Sequence, residues 1–92
     1  MEYTVKVRRG VDAEAWGMRI GIRRFTGGDG PRAVLLGVRA AGAAEPEAFL
    51  LGPGESAEAG GRVLVVREIA AEHVLVASEG EPWPGAGTEP PA

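Results

Sequence analysis

The chain has 92 residues with fifteen glycines, seven prolines, no cysteine and a net charge of −3, which bounds it to one small domain with a modest core. The lack of cysteine excludes a disulfide framework and a thiolate metal site. No apolar run approaches the ~20 residues of a membrane-spanning helix, and the opening Met-Glu-Tyr-Thr-Val-Lys-Val has no basic stretch leading into an apolar one, so a cytoplasmic protein with no membrane partner is expected.

Along the chain the hydrophobic period is two. Tyr3, Val5 and Val7 alternate with Glu2, Thr4, Lys6 and Arg8, a one-sided strand over 2–9. Gly10–Glu14 reads as a turn. Over 16–25, Trp16, Met18, Ile20 and Ile22 share one face, and Gly17, Arg19, Gly21 and Arg23 the other. Phe25 breaks that parity, which predicts a bulge near Arg23 and Arg24. The glycines of 26–31 suit a hairpin loop. Val34, Leu36 and Val38 then point inward, with Leu35, Gly37 and Arg39 opposite. Ala40–Glu47 is a longer connection in which Gly42 and Pro46 disfavour a helix.

A short strand at 49–51 ends at Gly52-Pro53-Gly54-Glu55, and another covers 56–59. Gly60-Gly61 is a two-residue hairpin signal leading into 62–69. A last strand, 74–77, follows the turn at Ala70–His73. Residues 1–78 thus read as all-β, a small antiparallel β-sandwich or partly open β-barrel of six or seven strands. Residues 79–92 read as a flexible, acidic, Pro/Gly-rich C-terminal tail. Trp83 within it either folds back on the domain or docks on a partner.

Charge divides the chain. Residues 1–40 carry eight basic side chains against four acidic ones, and residues 41–92 carry two against nine. Attraction between the halves, or between two copies, is one consequence. Lys6 and Arg8 with Arg19 and Arg23 form a basic stripe if their strands are neighbours. The stripe suits an acidic protein or small-molecule partner. Nucleic acid is not expected, because the net charge is negative and no aromatic residue shares that face for stacking on bases.

The 62–69 and 74–77 strands are apolar on both faces and so need two covers. Either the hairpin sits between two sheets, or a second subunit covers it. Leu35, Val63, Leu64, Val65, Val66 and Leu75 are the interface candidates.

Chemistry-bearing residues are few. His73, beside Glu72, is the only histidine and the natural general base. A triad with Ser56 or Ser78 lacks any nucleophile-elbow motif. Gly27-Gly28-Asp29-Gly30 precedes Pro31 and a strand, so it does not cradle phosphate. Neither a metal site nor a cofactor is expected.

From Leu51 to Val76 the run Gly-Pro-Gly-Glu-Ser, then Gly-Gly-Arg-Val-Leu-Val-Val, then Ile69 and a Val-rich strand resembles the turns and strands of the carbon-storage-regulator family of RNA-binding β dimers. That family's closing basic and apolar RNA-contact segment has no counterpart in this acidic C-terminal region. The whole chain resembles small β-proteins of high-G+C bacteria, a resemblance that implies no function.

Two functional expectations result. One is a non-catalytic accessory or protein-interaction module that self-associates as a homodimer through the apolar hairpin. The other is a small β-barrel that binds a small molecule in its mouth, as an accessory cyclase or isomerase of a biosynthetic pathway would. Trp16, Arg19, Arg23 and His73 are its ligand-binding candidates.

Overall fold

The computed structural model describes residues 1–26, 32–80 and 82. The Gly27–Pro31 segment, Glu81 and residues 83–92, Trp83 among them, lie outside the described residues. Among the described residues eight strands follow in order: β1 (Glu2–Arg8), β2 (Ala13–Ala15), β3 (Met18–Thr26), β4 (Ala33–Ala40), β5 (Glu47–Leu51), β6 (Ser56–Ala59), β7 (Arg62–Ile69) and β8 (His73–Glu79). They form two antiparallel four-stranded sheets that do not close into a barrel. One has the order β1-β8-β7-β6 and the other β2-β3-β4-β5.

The strand beyond the expected six or seven is β2. It lies in the segment that reads as a turn because three residues, Ala13-Glu14-Ala15, are too few to show a period. Its pairing with β3 is set by a two-residue turn in which Trp16 (φ 52°) and Gly17 (φ 73°) both take the left-handed region. That is the type I′ geometry that matches the twist of flanking strands. The same geometry recurs at Gly60 (φ 60°) and Gly61 (φ 75°) between β6 and β7. Glycine adopts it without penalty, whereas a tryptophan there carries strain of about 1–3 kcal/mol.

Contacts around Trp16 offset that strain. Its backbone N–H donates to the carbonyl of Pro82 at 2.6 Å, and its indole Nε1–H donates to the carbonyl of Gly80 at 2.9 Å. The Arg62 guanidinium stands 6.0 Å from the indole centroid and also donates to the Glu79 carbonyl. Trp16 is 8% exposed. It closes one end of the sandwich and fastens the chain after β8, so Glu79, Gly80 and Pro82 belong to the folded body. The opening of that tail segment therefore begins as structure.

The parity of the apolar residues dictates the core. Val7, Ile20, Leu36, Leu64, Val66, Val74 and Val76 are each at most 1% exposed and meet between the sheets. Burial of side chains this size stabilises by roughly 1.5–3 kcal/mol each. Leu64 and Val66 therefore form the core and cannot be interface residues. The reason is register: Val66 lies opposite Val76, which lies beside Val5 on β1, and all three point inward.

The first strand pairs with the last, not with its sequence neighbour. Lys6 and Arg8 consequently lie on the outer face of the β1 sheet, while Arg19 and Arg23 lie on the outer face of the other sheet. The single basic stripe expected from the sequence does not form.

The outer face of the β7–β8 hairpin has a cover of its own. Arg67 on β7 reaches over β8 to Glu2 on β1, donating through Nε at 2.9 Å and a terminal nitrogen at 2.6 Å. Ala77 points the same way from β8 between those strands and is fully buried. Val63 remains exposed, and Val65 and Leu75 are half-buried.

Candidate functional site

The sequence candidates separate onto three parts of the molecule. Trp16 is the end plug described above and presents no face to a ligand. His73 lies on the outer face of the β1 sheet, with Nε2 3.7 Å from a Glu68 carboxylate oxygen. Arg8 is its cross-strand partner, and Lys6, Arg9 and Glu72 complete a shallow depression around it. Ser78 faces the opposite side of the same strand and donates to the Val63 carbonyl at 2.7 Å, so it cannot reach His73. Arg19, Arg23 and Leu35 do come together, on the outer face of the β2–β5 sheet.

That face contains a trough. Its floor is a glycine pair, Gly21 on β3 lying directly opposite Gly37 on β4 in the ladder. Ala48 of β5 extends the row. On one side Arg19 and Arg39 are themselves direct cross-strand partners. On the other, the ladder shifts between Ile22 and Arg24, the bulge that Phe25's broken parity predicts. The extra residue places Arg23 and Arg24, both exposed, at the end of the trough beside the Leu35–Leu50 pair. Leu50 is 58% exposed. Asp12 and Glu14 form the wall on the β2 side, and the Ala41–Ala43 turn with Pro46 forms the far wall.

Two features of this face oppose stability. An interior strand glycine costs roughly 0.5–1 kcal/mol relative to alanine. Neither Gly21 nor Gly37 has a positive φ, so no backbone conformation demands it. A Cβ at Gly37 would approach Nε of Arg23 at 2.7 Å, and one at Gly21 would overlap the Asp12 carboxylate. Both neighbours are flexible side chains rather than backbone. The facing arginines 19 and 39 are like charges in direct register, which is also unfavourable.

Local pairing relieves part of that charge. Arg19 donates to Glu14 at 2.9 Å, and this hydrogen bond, with Asp12 adding attraction, holds its guanidinium above the ordinary value. Arg39 donates to the Ala43 carbonyl at 3.2 Å. Among the described residues Arg23 makes no hydrogen bond or ion pair.

The sequence does place Arg19, Gly21 and Arg23 on one strand face and Leu35, Gly37 and Arg39 on another. It does not show that the two glycines are opposite each other. Asp12 carries no such signal, since it precedes a strand too short to read. Comparison with family models, curated proteins and solved structures found no match to this chain.

Proposed function

We propose that this protein is a non-catalytic protein-interaction module and that its working surface is the trough over Gly21 and Gly37. The observation that carries the reading is the glycine pair itself. Two residues that weaken the sheet face each other with no conformational need, where the strand backbone is flanked by Arg19, Arg23 and Arg39. Glycine in a strand interior commonly marks close approach by a ligand or another backbone. The occupant fitted by this chemistry is an extended acidic segment of a partner protein. Its backbone lies on the glycine floor, its carboxylates meet Arg23 and Arg39, and apolar residues beside them meet Leu35 and Leu50. Planar guanidinium groups suit carboxylates because they donate two parallel hydrogen bonds.

Self-association through the apolar hairpin finds less support. With Leu64 and Val66 in the core and Ala77 under the Arg67–Glu2 pair, Val63, Val65 and Leu75 are what remains for it. A small-molecule site in a barrel mouth lacks its barrel, and Trp16 plugs one end of the sandwich.

The test is an amide NMR titration with blocked hexaglutamate, using hexaglutamine as the uncharged control. Hexaglutamate is expected to shift Gly21, Arg23, Gly37 and Arg39 saturably, and hexaglutamine is not. Changes confined to Lys6, Arg8, Arg9 and His73, or no saturable change, would overturn the reading.

A further inference from the structure

The Asp12 carboxylate lies where a side chain on Gly21 would stand. It is close enough to raise the Arg19 pKa by direct attraction, yet it forms no ion pair within 4 Å among the described residues. The trough therefore already holds an anion over its floor, supplied by its own chain. We infer that Asp12 is an internal stand-in for the partner's carboxylate and that an acidic segment binds by displacing it.

The local structure suits such a device. β2 starts only at Ala13, so Asp12 lies outside the β2–β3 ladder. It precedes the strand by one residue, and the chain before it runs through Gly10 at φ 82°. Its side chain is anchored by no hydrogen bond among the described residues and is free to leave without breaking the sheet. Glu14, two residues on, differs: it is tied to Arg19 at 2.9 Å and stands on the wall. Of the two carboxylates, only Asp12 competes for the floor. Its departure exposes Gly21 and lets the Arg19–Arg39 pair share an incoming carboxylate, which relieves the repulsion between them. Displacement of this kind lowers the apparent affinity for every acidic segment by the same factor, set by the fraction of chains in which Asp12 has left the floor.

This inference rests on the trough being the binding surface, and the experiment separates the two. Hexaglutamate is titrated into the intact wild-type chain and into Asp12→Asn, which keeps shape and removes charge. Glu14→Gln removes an equal charge from the wall. Asp12→Asn is expected to bind about two- to fivefold more tightly, the range of one exposed charge interaction. In the wild type, the Asp12 side-chain carboxyl carbon is expected to shift with the same midpoint as the Gly21 amide. Equal or weaker binding by Asp12→Asn, or an Asp12 resonance that stays still while Gly21 saturates, overturns the displacement and leaves the trough standing. An equal gain in Glu14→Gln with a stationary Asp12 resonance reduces the effect to mean charge and also overturns it. No binding by either wild type or Asp12→Asn overturns the trough and the displacement together.

Discussion

Gly37→Ala should make the protein more stable. The new Cβ projects from the outer face of β4, in extended backbone that alanine adopts without strain. The gain expected from removing an interior glycine is roughly 0.5–1 kcal/mol. Against it stands the 2.7 Å approach to Nε of Arg23, which needs to open to about 3.4 Å or more for ordinary contact. Arg23 is exposed and makes no hydrogen bond or ion pair among the described residues, so rotating it away costs a few tenths of a kcal/mol at most. The balance is a stabilisation of about 0.5 kcal/mol, or a rise of roughly 2–4 °C in midpoint for a domain of this size. Thermal and urea denaturation, followed by circular dichroism, would measure it. The bulkier Gly37→Val, in the same experiment, should retain the fold and lose hexaglutamate binding. A fall of 1 kcal/mol or more in Gly37→Ala would mean that the fold needs this glycine, and the argument that it is kept for a ligand would fail.

Other expected outcomes test the packing. Leu64→Ala should cost about 2–5 kcal/mol as a buried truncation, whereas Val63→Ala, one residue earlier and 51% exposed, should cost under about 1 kcal/mol. Similar losses in urea denaturation would contradict the inward–outward assignment of β7. Trp16→Ala should lose about 3–5 kcal/mol, while Trp16→Phe, which keeps the ring but drops the indole N–H to Gly80, should lose about 0.5–1.5 kcal/mol beyond any change in packing. Hydrogen exchange should show faster opening of residues 79–80 in both.

Glu2 titrates below its ordinary value because Arg67 donates two hydrogen bonds to it. A depressed folded-state pKa gives stability that is present above the unfolded value of 4.5 and lost as pH falls through the folded value. The stability difference between wild type and Glu2→Gln should therefore be largest above about pH 4.5 and shrink on acidification. A difference that grows on acidification would refute the pairing.

Alternation and turn residues determined that this chain is all-β, which residues of β3 and β4 face inward, and where the bulge and the Gly60-Gly61 hairpin fall. Those features are written in neighbouring residues, because side-chain direction in a strand has period two and turn geometry depends on two or three φ angles. Long-range pairing has no such local signature. The inward side of β7, apolar on both faces, was decided only by its pairing with β8. Only the tertiary structure decided that β1 pairs with β8, which divides the basic residues between two opposite faces. It also decided that Arg67 crosses β8 to pair with Glu2, 65 residues away, on the side of the sheet to which Ala77 points. The trough is the same kind of fact. Gly21 and Gly37 are each visible as outward-facing glycines, but a glycine floor exists only because the β3–β4 register sets them opposite one another, and only the fold brings Asp12 over Gly21.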